Sequence, residues 1–157
     1  MIVRPLEERD VAQCAEILSS TPLWQRYGVT PESALRRFQE GLQSDALILV
    51  MVDEQSAGNA ETVMGFAWVA VRGGFDRSPY LRLLAVRDSN RGAGLGHQLI
   101  QAMEDRLRQT GPDVFLLCAD YNLAAQRFYE REGYLRVGQI PDYVISGVAE
   151  IVYYKRL

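Results

Sequence analysis

Apolar and polar positions along this chain follow two periods, and each switch from one to the other marks an element. Residues 1–3 read as a short strand. Val11, Cys14, Ala15 and Leu18 then recur at helical spacing behind Asp10, a residue suited to an N-cap. Residues 21–30 read as a loop. Thr30 caps a second helix with Pro31 at its first position, where a missing N–H costs nothing, and with Leu35, Phe38 and Leu42 on its buried face. Residues 47–52 are continuously apolar, the pattern of a strand covered on both faces. A polar loop over 53–61 turns this strand into another over 63–71, and residues 73–78 link it to an apolar run over 81–86 that ends at Asp88, Ser89 and Asn90.

The next helix carries Leu99, Ile100, Met103 and Leu107 inward and sets Glu104 and Arg108 as an i,i+4 pair on its wet face. Gly111 and Pro112 stop it, and residues 114–119 form another apolar strand. Asn122 caps a short helix with Ala125, Phe128 and Tyr129 on one stripe and Gly133 as its C-cap. Two last strand-like runs, 134–140 and 148–154, flank residues 141–147.

The candidate chemistry begins where residues 81–86 lead into the third helix. Gly92, Gly94 and Gly96 stand at that helix start, so the backbone can approach a ligand closely and aim unpaired N–H groups at it, as an anion site requires. A nucleoside-triphosphate loop needs a lysine after its glycines and has none here. A dinucleotide fingerprint begun at Gly92 would need glycine where His97 stands. A glycine-rich helix start without a ligand is the plain alternative.

Arg91, Gly92, Ala93, Gly94, Leu95 and Gly96 resemble the R/Q-x-x-G-x-G/A signature of the GCN5-related N-acetyltransferases, the GNAT family. Asn122, Ala125, Phe128, Tyr129, Gly133 and Tyr134 match that family's second hallmark, N-x-x-A-x-x-F-Y-x-x-x-G-[FY], one helix and one strand further on. The resemblance covers essentially the whole chain and implies one domain over residues 1–157. The implied fold is an α/β mixed sheet in the order β-α-α-β-β-β-α-β-α-β-β, splayed between the fourth and fifth strands. It also implies an enzyme that transfers acetyl from acetyl-CoA, with no metal, to a primary amine of a small molecule or peptide in a ternary complex. Acetylation of a protein N-terminus or lysine, and a non-catalytic acyl-CoA-binding sensor, are the competing readings.

By the same resemblance, the backbone of Leu84, Ala85 and Val86 pairs with the pantetheine arm, and the amides from Gly92 to His97 hold the pyrophosphate, with Arg87 or Arg91 adding charge-assisted contacts. Asn122 meets the cofactor near its acetyl end, a role compatible with capping a helix. Tyr129 is the family's usual general acid, and a phenol of pKa ~10 is protonated at neutral pH and able to supply a leaving thiolate. The other reading of Tyr129 is a core aromatic. Protein N-terminal acetyltransferases often place a glutamate where this chain has Leu117, which counts against that branch. Asp120 and Asp142 are candidate bases, whereas His97 lies too near the phosphates. The acceptor cleft is implied over residues 21–30 and 141–147, with Trp24, Tyr27 and Tyr143 as aromatic walls and Asp142 to pair an ammonium. Trp24 and Tyr27 equally suit a role covering the core.

Composition narrows the partners. The chain has 157 residues, 48% apolar and 24% charged, as expected of a soluble globule. A net charge of −3 leaves no basic footprint for nucleic acid, although arginines cluster before the glycines. Cys14 and Cys118 have no C-x-x-C or histidine companion, so no zinc ligand set is expected and buried free thiols are. There is no signal-peptide core and no apolar run of the ~20 residues a membrane helix needs, so a cytoplasmic monomer or homodimer is expected.

Overall fold

Seven strands form one mixed sheet in the order β1-β2-β3-β4-β5-β7-β6, in a computed structural model that describes residues 1–54 and 61–157. The strands are β1 (Ile2–Pro5), β2 (Leu47–Asp53), β3 (Thr62–Gly74), β4 (Ser78–Val86), β5 (Asp113–Ala119), β6 (Leu135–Ile140) and β7 (Glu150–Arg156). The helices are α1 (Val11–Ser20), α2 (Pro22–Arg26), α3 (Pro31–Leu42), α4 (Leu95–Leu107) and α5 (Leu123–Arg131). The order is the expected one with one addition: residues 22–26, expected as loop, make a helical turn begun by Pro22. Most of the loop expected over 53–61 falls outside the described residues.

β2 shows why a continuous apolar run suits a central strand. Leu49 and Met51 enter the core beneath α4, while Ile48, Val50 and Val52 enter the one beneath α1 and α3. Each such side chain contributes about 1.5–3 kcal/mol through removal from water. β3 and β4 run longer than expected because their hairpin closes on Phe75 and Asp76, both left-handed (φ 57 and 52), which shortens the link.

Two side-chain expectations fail, both through packing. α3 buries Ala34, Phe38 and Gly41, whereas Leu35 is 38% exposed. Gly41 sets this rotation: a Cβ there would lie 2.7 Å from Ile48 Cδ1 and from the Trp68 ring, so the helix docks on its glycine. Glu104 does not lie on a wet face. It is fully buried and accepts two hydrogen bonds from Lys155 Nζ (2.7 and 2.8 Å), with Arg108 at 3.7 Å. Lys155 also donates to the Glu132 carbonyl (2.7 Å), tying α4 and the end of α5 to β7.

The sheet opens where the resemblance places its splay. β4 and β5 are parallel, but their register is limited to Tyr80 with Phe115 and Leu81 with Leu116. Beyond those pairs the edge of β4 from Leu83 to Val86 pairs with no strand on that side among the described residues. The β3–β4 register also steps, with Val69 opposite Leu81 and Trp68 opposite Leu83, so Arg82 is the extra residue of a bulge.

Candidate active site

The glycine loop presents its backbone to the opening. Gly92 and Gly94 are left-handed (φ 84 and 78), and nothing lies within 4 Å of where a Cβ would stand on either. Gly94 is the N-cap of α4 and no side chain caps this end. Gln98 N–H already bonds to the Gly94 carbonyl (3.2 Å), leaving the N–H groups one turn earlier, at Leu95, Gly96 and His97, without a helical acceptor. Gly96 serves packing instead, since a Cβ there would come within 3.3 Å of Phe128 on α5.

A cavity of about 890 Å³ runs from this loop along the free edge of β4. Leu84, Ala85 and Val86 line one wall, and Arg91, Gly92, Gly94, Leu95, Gly96 and His97 line its end. Ala93 does not line it; its N–H turns back to the Asn90 carbonyl (3.3 Å). Arg91 pairs with Asp88 (2.7 Å) and His97 Nδ1 lies 2.9 Å from Glu132 Oε2, both on the exposed rim. Arg87 points elsewhere, donating to the Val63 carbonyl (3.1 Å) and to Glu16 (3.2 Å), so it is not one of the rim's cations. Arg26, which lies in the 21–30 segment expected at the acceptor cleft, lines the larger cavity instead and stacks over the Tyr121 ring at 3.9 Å; Tyr121 is a lining residue that no motif marked.

A second cavity of about 340 Å³ lies beside the first, on the side of α2 and α3. The two share Leu23, Trp24, Leu84, Asn122, Ala125 and Tyr129, so they meet at Tyr129. Asn122 caps α5 through its Oδ1, which accepts from Ala125 N–H (3.2 Å), and it lines both cavities as well. The Tyr129 ring packs edge-on against Phe128 and Tyr134 at 5.3 and 5.8 Å, so the residue serves the core while it also lines both cavities. Its hydroxyl has no hydrogen-bond partner among the described residues. Burial, then the neighbouring Cys118 and Tyr80, pushes its pKa well above that of an ordinary phenol, so it keeps its proton across the neutral range.

The smaller cavity holds one carboxylate that no sequence motif marked. Glu150, the first residue of β7, is 4% exposed and lines it together with Tyr27, Tyr80 and Tyr143. Glu150 accepts a hydrogen bond from the Tyr27 hydroxyl. Burial raises its pKa above the usual carboxylate value, Asp120 raises it further, and the Tyr27 bond opposes both. A charged residue inside the otherwise apolar run Val148, Ala149, Glu150, Ile151 and Val152 was the available signal.

Asp142 does not join this cavity. It is left-handed (φ 52), exposed, and accepts from Gly147 N–H (2.6 Å), a closure of its own loop. Asp120 is likewise exposed and accepts from Ala149 N–H (3.0 Å), which ties β5 to the start of β7. Trp24 and Tyr27 line the cavity and pack on each other at 6.0 Å, with Trp24 also against the core beneath α1 and α3. Cys14 and Cys118 are both buried free thiols, and burial pushes the Cys118 thiol up to about 12. Among the described residues no three His, Cys, Asp or Glu side chains gather as a metal-holding group, and no helix is long and apolar enough to cross a membrane.

Residues 12–134 match the family model described as the acetyltransferase (GNAT) family. The fold is similar to that of an aminoglycoside 6'-N-acetyltransferase solved with coenzyme A: TM-score 0.80, 17% identity, covering 99% of this chain and 97% of that one. It is similar to an N-acetyltransferase from Staphylococcus aureus Mu50, with TM-score 0.77, 17% identity and coverage of 99% and 97%. The aminoglycoside 6'-N-acetyltransferase from Enterococcus faecium gives TM-score 0.75 and 19% identity, again over 99% and 97%. No curated protein matches the sequence.

Proposed function

The chain belongs to the GNAT acetyltransferase family, and on that premise we propose that it transfers an acetyl group from acetyl-CoA directly to a primary amine of a small or peptide-like acceptor. The observation that carries this reading is the meeting of the two cavities at Tyr129. The larger suits a long, polyanionic donor, and the smaller has aromatic walls and one buried carboxylate. The donor fits the residues present. Open space faces Gly92 and Gly94, the first N–H groups of α4 point toward a phosphate position, and the free edge of β4 offers backbone groups to an extended arm.

When bound, acetyl-CoA supplies an acyl thioester. An amine of pKa ~10 is about one-thousandth neutral at pH 7, so a proton acceptor is needed. Glu150 takes one proton from the ammonium and passes it to solvent, and its raised pKa makes it a better base than an exposed carboxylate. The freed lone pair attacks the thioester carbonyl and the C–S bond breaks. Tyr129 gives its hydroxyl proton to the departing thiolate and recovers one from the acylated nitrogen. The nitrogen thus loses two protons, one to solvent and one to the thiol. Cys118 is the only thiol beside the smaller cavity among the described residues, and a thiol that high in pKa is a poor nucleophile, which favours direct transfer over an acyl-cysteine route.

Release of free thiol from acetyl-CoA across a panel of primary amines tests the reading. Amine-dependent release that Tyr129→Phe abolishes supports it; tight coenzyme A binding without release for any amine makes the protein a sensor.

A further inference from the structure

The smaller cavity is not acidic overall. Besides Glu150 its lining includes two arginines, Arg37 on α3 and Arg82 on β4. Neither has a carboxylate partner among the described residues, a state they share with several surface arginines; what sets them apart is that they line this cavity. Arg82 owes its direction to the bulge, since the register step leaves it between Leu81 and Leu83, and its guanidinium lies over the Trp68 ring at 5.8 Å. Arg37 is half-buried next to Phe38, which also packs against Trp68 (5.1 Å). Two elements therefore bring guanidinium groups to the cavity lining, Arg37 half-buried and Arg82 exposed at its rim, while Glu150 enters from β7.

We infer that the acceptor is a primary amine whose apolar body ends in an anionic group, carboxylate or phosphate. Its nitrogen is held toward Glu150 and its anion is met by Arg37 and Arg82. Guanidinium forks match either anion through paired N–H donors. One carboxylate against two guanidiniums also makes the cavity hostile to a polycation, so the aminoglycosides named for several of the structural neighbours fit this lining poorly. The inference rests on the acetyl-transfer reading for its choice of amine, but it is read out by binding.

The test uses the whole chain saturated with coenzyme A and four C-terminally amidated dipeptides. These are phenylalanyl-glutamate, phenylalanyl-glutamine, phenylalanyl-phosphoserine and phenylalanyl-lysine, titrated by calorimetry. At least one acidic peptide should bind about tenfold tighter than the glutamine peptide, with the lysine peptide weakest. Which acidic peptide leads identifies the anion. The preference should shrink as salt rises and fall to about twofold in the Arg37→Gln/Arg82→Gln chain. The wild-type ranking and its salt dependence need no variant. Equal affinities, a preference for the lysine peptide or the absence of binding would overturn the inference. An acidic peptide that binds as expected but releases no thiol from acetyl-CoA leaves this specificity standing and removes the transfer reading. Thiol release with kanamycin alone does the reverse.

Discussion

Tyr27 and Glu150, 123 residues apart in the chain, are joined by a hydrogen bond from the tyrosine hydroxyl to Glu150 Oε1. The bond fastens the segment between α2 and α3 to the start of β7 and holds the carboxylate in the smaller cavity. Burial lifts the Glu150 pKa, so between the ordinary value of about 4.3 and the raised one the native chain keeps a proton that the unfolded chain has lost. This contribution to stability is fully present below that window and is lost as pH rises through the folded pKa. Glu150→Gln should therefore flatten the pH dependence of Tm and raise Tm at neutral pH. It should also lower kcat/KM about a hundredfold and remove its acidic limb. Thermal melts and pH–rate profiles check both, and an unchanged profile would take Glu150 out of the chemistry.

Tyr129→Phe keeps the ring contacts with Phe128 and Tyr134 and removes only a hydroxyl that has no hydrogen-bond partner among the described residues. Tm should hold, coenzyme A affinity should change little, and turnover should fall about a hundredfold or more. Single-turnover rates give the answer where product release limits kcat.

Gly94 caps α4 with open space beyond it. An aspartate tolerates the left-handed conformation better than most residues and would place a negative charge at the proposed pyrophosphate position. Gly94→Asp should weaken coenzyme A binding at least about tenfold, and more than Gly94→Asn does. Calorimetry on both variants separates charge from bulk; equal losses would mean that sterics alone act.

Tyr143 is 59% exposed and lines the smaller cavity, so its loss should cost little stability. Tyr143→Ala should raise the KM of the amine acceptor about three- to tenfold with coenzyme A affinity intact, within the range of an exposed cation–π or apolar ring contact. A shift in coenzyme A affinity instead would place the acceptor elsewhere.

Gly41→Ala should destabilise the fold by about 1–3 kcal/mol, because its methyl would lie 2.7 Å from Ile48 and Trp68 and force α3 outward. Denaturant unfolding measures this, and a neutral result would show that α3 can shift freely.

Residues near one another in the chain determined the readable part of this protein. The strand, turn and glycines from Leu81 to Gly96 lie within one short stretch, and so do the cap, stripe and stop of α5. Their periodicities and φ requirements are local, so the elements and the two motifs could be read before any packing was known, and the resemblance those motifs carry implied the sheet order and its splay. What depends on distant partners could not. Glu104 follows a surface pattern yet is buried, because Lys155 arrives from β7. Leu35 loses its buried place to Gly41 because Trp68 needs a flat helix face. Asp142, plausible by type and position, is occupied with its own loop. Glu150 enters the cavity only through the β5–β7 register that sets it opposite Ala119, and Arg82 only through a bulge invisible to period-two patterning. Local chemistry thus wrote the glycine loop into the sequence, while strand register and helix rotation, fixed by contacts across the fold, decided which side chains line the proposed acceptor cavity.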